Sequence, residues 1–112
     1  MTRELKFRVW NKETRTLYSS NDIREFPLKD VKSNDVWIFE QYTGLTDKNG
    51  VDIYEGDIID YNSDGQAIGY VKYNAPHYEL IDKEGYTMFL KGAPHQTIIG
   101  NIHENPELLK EE

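Results

Sequence analysis

Short runs of alternating apolar and polar residues, broken about every ten positions by turn formers, constrain this chain more than any other feature. Leu5, Phe7 and Val9 alternate with Glu4, Lys6 and Arg8, the period of a strand with one dry face. Polar Asn11-Lys12-Glu13-Thr14 follows and Thr16-Leu17-Tyr18 resumes, which predicts a hairpin over residues 4–19. Residues 20–35 are interrupted by Pro27 and by Ser33-Asn34-Asp35, and accommodate a single helical turn at 22–26. Val36-Trp37-Ile38-Phe39 is apolar on both faces. A strand of that kind is covered on both sides, by the protein or by a partner.

Beyond Tyr42 short strands alternate with turns. Asn49-Gly50 stands where a tight turn needs positive φ, and Gly56, Gly65 and Gly85 punctuate the strands that follow. About eight strands in this rhythm predict a sandwich or small barrel. Asn105 as N-cap, Pro106 at the first helical position, Glu107 at the positive end and apolar Leu108-Leu109 predict one or two closing turns of helix. The expected core holds Phe7, Val9, Ile38, Ile58, Val71, Leu80, Phe89 and Ile99. At 112 residues the chain makes one compact unit. Within it, an N-terminal β-hairpin lobe (1–41) joins a small barrel (42–112) through residues 36–42.

Composition removes several function classes. The absence of cysteine excludes disulfides, thiolate catalysis and cysteine-ligated metals. No apolar run approaches the length of a membrane span, and the opening MTRELKFRVWNK is neither a signal nor a transit peptide. A cytoplasmic protein is expected. The net charge of −7 opposes free-standing polyanion binding. That charge is uneven: residues 1–32 carry eight basic and five acidic groups (+3), and residues 33–112 carry five and fifteen (−10). Such polarity is that of two solvated surfaces, the commoner case, or of surfaces neutralised within the chain or between two copies, and the last motivates an oligomer.

Candidate chemistry is sparse. His77, His95 and His103 lie 18 and 8 positions apart, which matches no metal-ligand spacing, and read as structural or exposed. No nucleophile elbow, P-loop or dinucleotide fingerprint is present. Asp60, Asn62 and Asp64 before Gly65 imitate the start of an EF-hand loop, but the twelfth position is Val71 where a bidentate Glu belongs. A hairpin loop is the better reading. Lys6, Arg8 and Trp10 share one face of the first strand, with Lys12 and Arg15 at its turn. Basic groups around an aromatic can hold phosphates and stack a base, so they form the candidate nucleic-acid surface. The acidic run of Asp47, Asp52, Glu55, Asp57, Asp60 and Asp64 reads as turn chemistry and solubility, not DNA mimicry.

Three stretches together carry a resemblance. They are Leu5-Lys6-Phe7-Arg8-Val9-Trp10-Asn11-Lys12; Gln41-Tyr42-Thr43-Gly44-Leu45-Thr46-Asp47-Lys48-Asn49-Gly50 with Ile53-Tyr54-Glu55-Gly56-Asp57-Ile58-Ile59; and Ile99-Gly100-Asn101-Ile102-His103-Glu104-Asn105-Pro106-Glu107-Leu108-Leu109. In this order they resemble the YopX family of bacteriophage and prophage proteins. The resemblance implies an all-β protein with an SH3-like (Src-homology-type) barrel behind an N-terminal β-lobe, working in a bacterial cytoplasm. It brings no active site. The expectation is a non-enzymatic, cofactor-free interaction module that self-associates, with Trp37 and Phe39 at the interface and a phage or host protein as a further partner. The alternative is a nucleic-acid accessory protein acting through the basic strand.

Overall fold

The structure is a computed structural model that describes residues 6–19, 36–62, 65–90 and 95–110. The chain is all-β. Nine strands are described: β1 (Phe7–Asn11), β2 (Thr16–Tyr18), β3 (Trp37–Thr46), β4 (Asp52–Tyr54), β5 (Asp57–Asp60), β6 (Ile68–Asn74), β7 (His77–Asp82), β8 (Thr87–Phe89) and β9 (Thr97–Asn101). They form two sheets, ordered β2-β1-β3-β4 and β8-β7-β6-β5-β9. The helical turn expected near 22–26 lies outside the described residues, as does Asp64.

The first hairpin forms because Asn11 turns the chain locally. Its Oδ1 accepts the backbone N–H groups of Glu13 (2.9 Å) and Thr14 (3.0 Å), an Asx turn that brings β2 back beside β1. β3 runs through the 41/42 division drawn from the sequence; its first half pairs with β1 and its second half with β4. The main core lies against the second sheet and gathers Ile53, Ile59, Val71, Tyr78, Leu80 and Leu90.

Val9, Ile58, Val71 and Leu80 are buried as expected, and Ile38 is half-buried. Phe7 (41% exposed), Phe89 (65%) and Ile99 (38%) are not core residues, and each has a physical reason. Phe7 opens β1 on the outward face, beside Gln41. Phe89 sits on the short edge strand opposite Glu79, while its neighbour Met88 opposes buried Leu80. Ile99 is the extra residue of a bulge: Ile58 pairs with Gly100 and Ile59 with Ile98, so nothing opposes Ile99.

The β3–β4 turn is fastened to the second sheet by one carboxylate. Asp47 Oδ1 accepts N–H bonds from Asn49 (2.9 Å) and Val51 (3.0 Å), and Oδ2 accepts that of Ile98 in β9 (3.1 Å). Gly50 supplies the positive φ of 80° that this turn demands. Burial raises the Asp47 carboxyl, but the Ile98, Val51 and Asn49 N–H groups outweigh it and hold its pKa below the ordinary carboxylate value. A depressed folded-state pKa contributes stability that is present above the unfolded value of about 3.9 and lost as pH falls through the folded one. Asp47→Asn is therefore expected to cost about 1–2 kcal/mol at neutral pH and to shrink the stability lost on acidification below about pH 4. Urea unfolding at neutral and acid pH reads both.

The closing segment Pro106–Leu109 is a single 3-10 turn lying against β6. Asn105 makes no side-chain cap to it. Its Oδ1 instead accepts the Asn101 N–H (3.2 Å), while Asn101 Oδ1 accepts those of His103 (3.0 Å) and Glu104 (2.9 Å). These bonds fix the position of His103 at the end of β9.

Candidate functional site

Two facing residues begin the site. Arg8 and Glu40 are register partners across the antiparallel β1–β3 pair, so their side chains stand side by side on one face of the first sheet. Arg8 Nε donates to Glu40 Oε1 at 2.8 Å. Its Nη1 crosses to the second sheet and donates to Asp57 Oδ1 at 2.7 Å, and Nη2 donates to the Glu55 carbonyl at 2.9 Å. The guanidinium carbon lies 5.1 Å from the Tyr54 ring centre. Asp57 is held from behind, since its Oδ2 accepts the Tyr54 N–H at 2.8 Å.

His103 completes the group. Its Nε2 lies 2.9 Å from Glu40 Oε2, and its ring stacks on Trp10 with centroids 4.9 Å apart at 13°. Arg15 lies over the indole at 5.8 Å and reaches the His103 carbonyl with Nη2 at 3.3 Å. Gly56 is required by this arrangement. Its φ is +83°, and a Cβ there would collide with the Glu40 carboxylate.

Burial works against the Arg8 charge, yet Asp57 and Glu40 together hold its pKa above the usual value. Burial also pushes the Asp57 carboxyl up, with Arg8 and the Tyr54 N–H pulling it back only in part. The two directions conflict over one contact, the first favouring charge and the second its loss. The arginine side decides: a guanidinium keeps its proton, so a neutral Asp57 would leave a buried cation short of a counter-charge. The group is an ion pair at neutral pH.

The five residues of the candidate nucleic-acid face are divided between interior and surface. Arg8 is 8% exposed and Trp10 is buried beneath His103, so neither presents itself to a phosphate or a base. Lys6 is half-buried with Nζ on Asp52 at 2.9 Å; Lys12 and Arg15 alone of the five are exposed. The partners of Arg8 come from 32 and 49 positions along the chain, a distance over which residue-by-residue alternation carries no information. Asp60 closes its loop on backbone, accepting the N–H groups of Asn62 (3.3 Å) and Gly65 (2.7 Å). Among the described residues no group of three or more acidic or histidine side chains is placed to hold a metal. Phe39 is 46% exposed, and Trp37 is half-buried with its ring 6.0 Å from that of Tyr18.

Glu40, Glu55, Asp57 and His103 are the participants that sequence reasoning missed or read as turn chemistry and a structural histidine. One signal was present: Glu40 is a carboxylate directly following the apolar run Val36-Trp37-Ile38-Phe39. Both Glu40 oxygens and both Asp57 oxygens have a hydrogen-bond partner within the protein.

The model of the YopX protein family matches residues 6–110. The chain belongs to the YopX family. The stretches Leu5 to Lys12, Ile53 to Ile59 and Ile99 to Leu109, separate in sequence, meet at the Arg8 group through Arg8, Asp57 and His103. The crystal structure of protein EF1440 from Enterococcus faecalis is similar over 97% of this chain and 100% of that one, with a TM-score of 0.69 at 23% identity. At that identity the likeness is one of fold. No curated protein matches.

Proposed function

We propose that this YopX-family chain is a non-enzymatic interaction module of phage or prophage origin, built on an SH3-like barrel and self-associating in the host cytoplasm. The observation that carries this reading is the exposure of Phe7 and Phe39 on the face of β1 and β3 that lies away from the Arg8 group. Register puts Phe7, Phe39, Trp37 and Tyr18 on one side of the first sheet, opposite the Arg8 group, with Phe7 and Phe39 more than two-fifths exposed. Adjacent exposed aromatics are what association surfaces use. The uneven charge between the basic N-terminal third and the acidic remainder favours the same outcome. The closed hydrogen bonding around Glu40 and Asp57 supports a non-catalytic role, and the burial of Arg8 and Trp10 weakens the nucleic-acid alternative.

Sedimentation velocity across a salt series tests the reading. The wild-type chain is expected to form a dimer, and Phe39→Glu to weaken it by at least about thirtyfold, the size of a hot-spot loss. A wild-type monomer at every salt concentration would overturn it.

A further inference from the structure

A cleft of about 540 Å³ opens beside the Arg8 group, between the end of β2, the β4–β5 region and the end of β9. We propose that it receives the lysine or arginine side chain of a basic segment on a partner protein. The inference rests on the interaction-module reading and gives it a specificity.

Three features of the cleft select that chemistry. Part of the lining is apolar, contributed by Leu17, Val51, Tyr54 and Ile98, and suits the aliphatic stem of a long side chain. The charged lining consists of Arg8 against Asp52, Asp57 and Glu104, one cation to three carboxylates, a net charge of −2. Arg8 is already engaged with Glu40 and Asp57, so it offers an anion little attraction. The third feature is unused acceptor capacity. Asp52 takes Lys6 on Oδ2, and Glu104 takes the Asn101 amide on Oε1 at 2.7 Å. Asp52 Oδ1 and Glu104 Oε2 accept no hydrogen bond among the described residues.

The protein itself supplies the precedent. Asp52 with Tyr42 holds the Lys6 ammonium, which lies 5.1 Å from the ring centre, and Asp57 with Tyr54 holds the Arg8 guanidinium. A carboxylate beside a tyrosine is thus a cation site twice over in this region. A neutral apolar group would bring no donor to Asp52 Oδ1 or Glu104 Oε2, and a phosphate would meet net negative charge.

The test is titration of the full chain with N-acetyl-arginine amide, followed through backbone amide NMR shifts. N-acetyl-norleucine amide serves as the uncharged stem and spermidine as the free polyamine. The arginine probe is expected to produce saturating shifts at Val51, Ile98, Gly100 and Glu104 that diminish with salt, and norleucine none. Glu104→Gln and Asp52→Asn should each weaken binding about two- to fivefold, as expected for removing one partly exposed ion pair. Both should leave the sedimentation behaviour unchanged, so the cleft and the self-association stand or fall separately. Equal binding by norleucine, unchanged affinity in both variants, or no shift with arginine would overturn the proposal. Tighter binding of spermidine than of arginine would overturn it in favour of a free polyamine.

Discussion

Arg8→Ala is expected to destabilise the protein by about 3–5 kcal/mol in urea unfolding, a large fraction of what holds a domain of this size together. The cost arises from what remains behind. Glu40 and Asp57, both buried, lose the one cation between them, and the Glu55 carbonyl loses its donor. An unpaired buried carboxylate must either stay charged at great cost or take up a proton. The loss should therefore ease as pH is lowered and Asp57, whose carboxyl burial already pushes up, takes a proton. Arg8→Lys should recover only part of it, because an ammonium cannot reach Glu40, Asp57 and a carbonyl with the geometry of a guanidinium fork. A destabilisation below about 1 kcal/mol, the range of an exposed ion pair, would mean that the group is peripheral.

Gly56→Ala should cost about 2–5 kcal/mol, although it adds a single methyl group. Forcing an L-residue to a φ of +83° costs about 1–2 kcal/mol, and driving a Cβ into a packed carboxylate adds about 1–3 kcal/mol. The contact displaced is the Glu40 oxygen that faces His103, so the histidine is disturbed as well. The His103 ring signals in the NMR spectrum should shift in Gly56→Ala. They should stay in place in Gly50→Ala, where a Cβ meets nothing and only the backbone strain is felt. Similar losses in the two variants would show that φ alone matters at Gly56.

The all-β class, the hairpin turn after Asn11, the Asn-Gly turn and the burial of Val9, Ile58, Val71 and Leu80 were legible because each is set by residues within a few positions of one another. What escaped was set at long range. Alternation along β1 marks Arg8 and Trp10 as the wet side of a two-faced strand. Yet β1 lies between β2 and β3, and both of its faces are covered from Arg8 to Asn11. The polar residues of that face find their partners in β3, β5 and the segment after β9. Ile99 was lost to a bulge, a one-residue insertion that inverts the facing of a side chain without altering the pattern around it. His103 looked structural because no ligand spacing surrounded it. It is structural in the sense of being stacked and hydrogen-bonded, but it sits inside the Arg8 group, which joins the two sheets.

The structural account turns on whether Arg8 and Asp57 act as one unit across the two sheets. A double-mutant cycle with Arg8→Met and Asp57→Asn, read by urea unfolding, measures this most directly. A coupling of about 2–3 kcal/mol is predicted, with the double variant losing far less than the two single losses combined. Losses that add to within about 0.5 kcal/mol would contradict it.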